Sequence, residues 1–130
     1  MVESSKSSVV LAANQAFYQA FETLDIDVMK AAWDDQAEVT CVHPGWPILR
    51  GWDDVMTSWE RIMENTTMMQ FVITDAEGKV EGNYAWVTCT ENLTSVVNAR
   101  VNGASVQTTN ILHQRDGKWR LVHHHGSPVM

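Results

Sequence analysis

The sequence predicts an α+β domain in which helices cover one face of an antiparallel sheet. Apolar residues recur at helical spacing in the first half of the chain, whereas from Met68 onward the period changes to two. The later runs are rich in Val, Ile, Thr, Tyr and Trp, and Asp116-Gly117 separates the last two as in a tight hairpin. These observations predict the order α-α-β-α-β-β-β-β in a single domain over residues 1–130.

Three helices are predicted from apolar stripes and from the residues at their ends. The first covers residues 5–24, the second runs from Val28 to Trp33 after the capping segment 25–27, and the third covers 51–65. The first stripe consists of Val10, Ala13, Phe17, Ala20, Phe21 and Leu24, and the third of Trp52, Val55, Met56, Trp59, Ile62 and Met63. Most of the Trp and Met residues are thereby interpreted as core.

The strands are predicted from alternation and from turn residues between the runs. The first strand, Ala37 to Val42, ends at the Pro- and Gly-rich segment 43–47. Turns are predicted at 76–78, 102–103 and 116–117, and the remaining strands at 68–73, 84–97, 103–114 and 118–125.

The composition argues against several classes of partner. The 130-residue chain carries 9 Lys and Arg against 16 Asp and Glu, a formal charge of −7. Proteins that bind phosphate backbones need a positive surface, so nucleic acid and anionic membranes are poor partners. No apolar run approaches the roughly 20 residues of a membrane span, and the first residues lack a signal-peptide core, so we expect a cytoplasmic protein. The two cysteines, Cys41 and Cys89, are expected to be buried thiols.

Several short stretches resemble the nuclear-transport-factor-2-like (SnoaL-like) superfamily. They are the segments 25–27 and 33–39, Arg50-Gly51-Trp52-Asp53, and Arg115-Asp116-Gly117-Lys118-Trp119 followed by Val122-His123, His125 and Ser127-Pro128. The last stretch is most similar to the association domain of calcium/calmodulin-dependent protein kinase II and its bacterial relatives. The resemblance implies a cone-shaped fold, in which three N-terminal helices and a curved antiparallel sheet enclose a pocket. The superfamily includes isomerases, cyclases, dehydratases and oligomerisation modules, so function has to be argued from the site.

The resemblance places His43 at the pocket, where related branches carry an aspartate or glutamate before the proline that ends the first strand. An imidazole at this position suits a general base near neutral pH or a ligand anchor. A structural histidine satisfied by its neighbours is the alternative. The resemblance further implies a pocket with a few polar side chains and mostly apolar walls. The polar side chains are Tyr18, Thr88, Asn110 and His124, and the walls are Met29, Trp46 and Trp86. The Tyr/Asp/Asp set of the steroid isomerases is absent, so that activity is not inferred.

Alternation in the last strand divides its side chains between two faces. Arg120, Val122 and His124 share one face, and the resemblance favours this set as the one that faces the pocket. On the other face we predict a homodimer interface formed by His113, Trp119, His123 and His125. Zinc binding by the three histidines is the alternative, but we expect an interface without metal or other cofactor.

We therefore expect a SnoaL-like domain that binds a small molecule in a mostly apolar pocket with a few polar groups. The first alternative is an isomerase, cyclase or lyase that acts on a small carbonyl compound and uses His43 as the general base. The second alternative is a homo-oligomerisation module like the kinase association domain.

Overall fold

Three helices lie across one face of a six-stranded sheet. The structure is a computed structural model and describes the backbone of residues 2–129 and the side chains of residues 6–129. The helices are α1 (Val2–Thr23), α2 (Ile26–Ala31) and α3 (Trp52–Glu64). The strands are β1 (Thr40–Val42), β2 (Leu49–Arg50), β3 (Thr66–Glu81), β4 (Tyr84–Val97), β5 (Arg100–Arg115) and β6 (Lys118–Pro128). No helix in this described part is both long and apolar enough to span a membrane.

The sheet confirms the predicted α+β class but is mixed rather than purely antiparallel. Its strand order is β2-β1-β6-β5-β4-β3. β1 runs parallel to β6, with Cys41 opposite His124, because β1 pairs along the edge that the β5–β6 hairpin leaves open. β2 was not predicted, since two residues are too few to show a period.

Two of the predicted turns lie elsewhere. β3 continues past the turn expected at 76–78, because a bulge between Thr74 and Glu77 absorbs the irregularity and leaves Asp75 with φ of 56°. The β4–β5 turn lies at Asn98 and Ala99, which have φ of 52° and 64°, rather than at 102–103. Positive φ at both central residues is the geometry of the commonest two-residue hairpins.

A bulge in β6 changes which side chains face the helices. Leu121 lies opposite Leu112, but the register then shifts by one residue, so Val122 is inserted before His123. Leu121 and His124 are consequently both buried on the helix side. Strict alternation predicted them on opposite faces, and the bulge is the reason why that prediction was wrong.

Trp119 lies on the helix side of the sheet, in step with Leu121. It packs against the hydrophobic core and lines a recess with Val9 of α1. Its predicted place on the outer face, by which we mean the face turned away from the helices, is therefore wrong. The prediction treated Trp119 and His123 as one alternating set, whereas the bulge separates them.

Trp59 of α3 is the centre of the aromatic core and is fully buried. Its ring lies 4.9 Å from Phe21 and 5.7 Å from Phe17, both on α1. It also contacts two imidazoles, at 4.6 Å for His43 and 5.8 Å for His124. The edge-to-face arrangement of most of these pairs suits the ring quadrupoles and locks α1, α3 and the sheet together.

Asp34 connects the segment after α2 to the β5–β6 hairpin. Its backbone N–H donates to the Leu121 carbonyl at 2.9 Å, and its carboxylate accepts from the Gln36 N–H, from His113 Nδ1 at 3.0 Å and from Arg115 Nε at 3.2 Å. Burial by itself would raise the pKa of Asp34, but these hydrogen bonds outweigh burial and lower it. The carboxylate is therefore ionised and anchors the side chains of His113 and Arg115.

Asp34→Ala should lower the free energy of unfolding by about 2 kcal/mol, because three charge-assisted or backbone bonds to a buried group are lost together. Asp35→Ala is the matched control, since Asp35 is exposed, and it should change stability by less than about 0.5 kcal/mol. Urea denaturation of the two variants measures the difference. Equal stability of the two variants would contradict this role of Asp34.

Candidate functional site

Buried polar side chains collect between the helices and the concave face of the sheet. We call this set the interior polar cluster, and its members are Asn14, Tyr18, His43, Ser58, Glu91, Asn110 and His124. A polar group loses its water on burial, and this costs free energy unless a hydrogen bond replaces it. The hydrogen bonds within the cluster therefore decide how each side chain is oriented.

The structure brings together the predicted residues Tyr18, His43, Asn110 and His124, and it buries Met29 in the adjoining core. Trp46 lies at the surface above His43, with their ring centroids 4.8 Å apart. Gly45, with φ of 81°, allows the turn in which the Trp46 N–H donates to the His43 carbonyl.

Trp86 and Thr88 are not part of the site. They alternate along β4 with the buried residues Ala85 and Val87, so their side chains lie on the outer face. Trp86 is 40% exposed. The expectation that both share the concave face was wrong by one residue of register, which in a strand moves every side chain to the opposite face.

His43 is held by α3 through one ring nitrogen. Its Nε2 lies 2.8 Å from the Ser58 hydroxyl, and that hydroxyl donates its only proton to the Val55 carbonyl at 2.6 Å. Ser58 must therefore accept from His43, which places the imidazole proton on Nε2. Nδ1 keeps its lone pair, and the Cys41 Sγ beside the ring lies 3.9 Å from Nδ1 and 3.7 Å from Nε2.

Asn110 orients His124 through Nδ1, whereas Ser58 holds His43 through Nε2. The Asn110 amide nitrogen donates to Asn14 Oδ1 at 2.8 Å and to the Tyr18 hydroxyl at 3.2 Å, so its oxygen is the acceptor for His124 Nδ1 at 2.6 Å. His124 thus carries its proton on Nδ1, and Nε2 is left as an acceptor. The Tyr18 hydroxyl in turn donates a hydrogen bond to Glu91 Oε2, with an O–O distance of 2.6 Å.

Burial keeps both imidazoles neutral. It lowers the pKa of His43 to about 4 and that of His124 to about 3, the latter with added repulsion from His43 and the other neighbouring histidines. Their ring centroids are 6.3 Å apart. Burial likewise raises the pKa of Glu91, against the hydrogen bond from Tyr18, and it raises the pKa of the Tyr18 phenol, which therefore stays protonated.

Sequence reasoning missed Asn14, Ser58, Glu91 and Trp59 as site residues. A usable signal was present, because each polar member is in phase with an apolar pattern. Asn14 follows Val10 by one helical turn, and Glu91 continues the buried alternation of β4. A polar residue in phase with a core stripe is a better site candidate than its residue type alone suggests.

Gly126 allows the loop after His43 to lie directly on β6. A Cβ at this position would stand 3.0 Å from Val106 Cγ1 and 3.2 Å from Pro44 Cγ. Any larger side chain would push the loop outward and would separate Trp46 from His43. Gly126 therefore allows the segment that covers the site to pack closely on β6.

The histidines of the outer face have separate local partners. His113 bonds Asp34 and its ring lies 4.6 Å from Tyr84, whereas His123 Nδ1 lies 2.6 Å from the Thr40 hydroxyl. His125 is exposed, with its ring 6.1 Å from that of His123. Among the described residues, no three His, Cys, Asp or Glu side chains are grouped closely enough to hold a metal ion.

The neutral imidazoles predict a loss of stability in acid. Their pKa values of about 4 and about 3 lie below the 6.5 of an ordinary histidine, so at pH values between these limits the unfolded chain binds protons that the folded chain does not. Each imidazole should therefore lower the free energy of unfolding by about 1.4 kcal/mol per unit of acidification in this range. His43→Gln keeps an N–H for Ser58 but does not titrate, so its slope against pH should be smaller by that amount.

Urea denaturation at several pH values measures the two slopes. Glu91, whose pKa is raised, acts in the opposite sense, but it is common to both proteins and cancels in the difference. Identical slopes for His43→Gln and the unsubstituted protein would show that His43 is not buried in its neutral form.

Comparison with known proteins identifies the family. Residues 10–130 match the SnoaL-like domain family. A crystal structure from Streptomyces avermitilis, described as that of a candidate dehydratase of the NTF2-like family, is 38% identical with a TM-score of 0.91, and the match covers 98% of each chain. A candidate calcium/calmodulin-dependent protein kinase type II association domain from Thiobacillus denitrificans is 26% identical with a TM-score of 0.78, covering 92% of this chain and 94% of that one.

The identity is thus higher with the Streptomyces protein than with the association domain that the last strand resembles. The F-box protein SKIP8 of Arabidopsis thaliana is 23% identical over 121 residues, which are 93% of this chain and 50% of that protein. The chain therefore spans about half the length of this curated relative. Since the family match covers residues 10–130 and the fold agrees with it, the chain belongs to the SnoaL-like domain family.

Proposed function

We propose that the interior polar cluster binds a small, partly apolar compound that carries a carbonyl group and a hydroxyl group. The observation that carries this proposal is the indole N–H of Trp59, which is buried and has no hydrogen-bond partner among the described residues. Buried donors are nearly always satisfied, so this one calls for an acceptor such as a carbonyl oxygen. The Trp59 ring contacts both His43 and His124.

The two imidazoles complement this donor with acceptors. His124 Nε2 and His43 Nδ1 retain lone pairs, because Asn110 and Ser58 fix the protons on the other nitrogens. A lone pair in this position suits the O–H of a ligand. Phe17, 5.2 Å from the His124 ring, and Trp59 supply the apolar surface on which the rest of a small molecule would lie.

Access to His43 requires Trp46 to move. The indole covers one side of the imidazole, is 40% exposed and belongs to the β1–β2 loop rather than to a helix or long strand. Displacing a half-exposed loop side chain is less costly than opening the packed core between α1 and α3. We therefore place the path of the ligand at Trp46.

Binding is the first proposal and catalysis the second, because of the pKa of His43. With a pKa of about 4, its imidazole accepts a hydrogen bond but holds a proton weakly. Relative to an ordinary histidine this removes about 3 kcal/mol of driving force for proton abstraction at neutral pH.

Dehydration is the second candidate, favoured by the 38% identity with the candidate dehydratase from Streptomyces avermitilis. In this reaction His43 Nδ1 would take the proton next to the carbonyl of a β-hydroxy carbonyl compound. The C–O bond to the hydroxyl would then break as the C=C bond forms, and the imidazole would return its proton to the departing hydroxide. Water and an unsaturated carbonyl compound leave, and His43 is neutral again.

His43→Ala should weaken the binding of neutral hydroxy amides, such as mandelamide and phenyllactamide, by about 1–3 kcal/mol while the chain remains folded. His124→Ala removes the bond to Asn110 as well, so it should reduce both binding and stability. Thermal shift and calorimetry measure the two effects for each variant. If the reaction is dehydration, His43→Ala should also lower its rate by about 10²–10⁴-fold.

Normal ligand affinity in His43→Ala, together with a lowered melting temperature, would assign His43 a structural role and reject the proposed site. Ser58→Ala is the matched control for packing, because it leaves the imidazole in place and removes only its partner. It should cost stability and change affinity less than His43→Ala does.

We also propose that the outer face of the sheet joins two copies of the chain. Tyr84 and Trp86 are 53% and 40% exposed there, next to Ile111. The neighbouring positions of β4, β5 and β6 are uncharged Thr, Gln and Ser residues together with His123 and His125. These positions of β4, β5 and β6 add no acidic group to a contact between two copies of a chain of net charge −7, and the acidic Glu77 and Glu81 lie beside them on β3.

Light scattering at micromolar concentration should therefore report about twice the 14.6 kDa mass of one chain. Trp86→Glu should shift the protein to the monomer, because it places two like charges across the two-fold axis. Val28→Glu, on an exposed position of α2, is the matched control and should leave the dimer intact. A monomeric unsubstituted protein would reject this interface.

A further inference from the structure

A recess of about 260 Å³ lies beside Trp46 at the surface. It is formed by the last turn of α3, the β1–β2 loop and the end of β4. Its lining consists of Trp46, Arg61, Ile62, Asn65, Thr66 and Val97. Its surface is mostly apolar, so the recess suits the apolar part of a small molecule.

Arg61 is the charged residue of the recess. Its side chain is exposed, and it forms no ion pair with any residue that the structure describes. A guanidinium beside apolar walls is the arrangement that recognises a carboxylate, because its planar N–H donors match the two carboxylate oxygens.

The recess adjoins the interior site through one side chain. Trp46 lines the recess with one part of its indole and contacts the His43 ring at 4.8 Å with another. Displacement of Trp46 would therefore join the recess to the interior polar cluster. A single elongated ligand could then contact Arg61 at one end and the imidazoles at the other.

We infer that the recess binds the carboxylate end of the ligand, so that the substrate class is a small hydroxy or oxo acid with an apolar body. This inference depends on the proposed function for the inner end of the ligand. The polar groups near the imidazoles are neutral donors and acceptors, apart from Glu91, and none of them would favour an anion. The carboxylate consequently belongs at Arg61, outside Trp46, and the hydroxyl or carbonyl group belongs inside.

The test compares 4-acetylbenzoate and 4-(1-hydroxyethyl)benzoate, whose oxo or hydroxyl group lies across a benzene ring from the carboxylate, with the corresponding amides, by calorimetry on the full chain. The acids should bind about 10- to 100-fold more tightly than the amides, since only the acids form a charge-assisted contact. Arg61→Gln should abolish that preference and leave amide affinity unchanged. Arg61→Lys should restore part of it, and Arg50→Gln, which changes an exposed arginine outside the recess, should have no effect.

A structural role of Arg61 predicts a different result, because the residue also lies in the last turn of α3, where a cation stabilises the helix end. In that case Arg61→Gln would lower the melting temperature without changing the ratio of acid to amide affinity, and the inference would be overturned. Raising the salt concentration from about 0.02 to about 0.5 M should weaken acid binding only, since exposed charge contacts are screened.

The remaining outcomes separate this inference from the proposed function. If acids and amides bind equally well and both lose affinity in His43→Ala, the carboxylate site is wrong and the interior site stands. If Arg61→Gln weakens the binding of the acids and His43→Ala does not, the recess binds carboxylates and the interior site is wrong. If neither acids nor amides bind, both are rejected.

Discussion

The side-chain amide of Asn110 is the junction on which the interior of this protein depends. It donates to Asn14 and Tyr18 on α1 and accepts from His124 on β6, so one planar group connects the first helix to two adjacent strands. Because an amide offers donors on one side and an acceptor on the other, this arrangement fixes the tautomer of His124 and leaves its Nε2 lone pair unused. An aspartate at the same position could not donate to both α1 side chains while ionised, and it would favour a charged imidazole. The uncharged amide therefore accounts for a neutral site in an acidic protein.

The fold could be predicted from the sequence where periodic patterns were long, and the errors arose where a single residue interrupted a pattern. α3 was predicted as 51–65 and forms as Trp52–Glu64, because its apolar stripe runs unbroken through three turns. The inserted residue Val122 reversed the inferred facing of Leu121 relative to His124, and a bulge in β3 replaced a predicted turn. A bulge depends on how a strand pairs with its neighbour, and the amino-acid sequence alone does not show that pairing.

The site was predicted in part for the same reason. His43, Tyr18, Asn110 and His124 do lie together, yet Trp86 and Thr88 were included by a register that is wrong by one residue. Glu91 and Ser58 were not predicted as site residues. Both positions are in phase with buried residues of their own elements, but the sequence does not show the partners that satisfy them there, Tyr18 of α1 for Glu91 and His43, just after β1, for Ser58.

The chain handles buried ionisable groups in two contrasting ways, and the contrast indicates where chemistry can occur. Asp34 remains charged because His113, Arg115 and a backbone N–H surround its carboxylate, so its bonding capacity is spent on structure. His43 and His124 instead become neutral, with one ring nitrogen bonded to the protein and the other left without a strong partner. Burying a polar atom without a partner costs about 1–3 kcal/mol, and the Nε1 of Trp59, whose ring contacts both imidazoles, is such an atom. A polar molecule that accepts a hydrogen bond from this indole N–H would relieve that cost, whereas no rearrangement of the surrounding apolar side chains would do so.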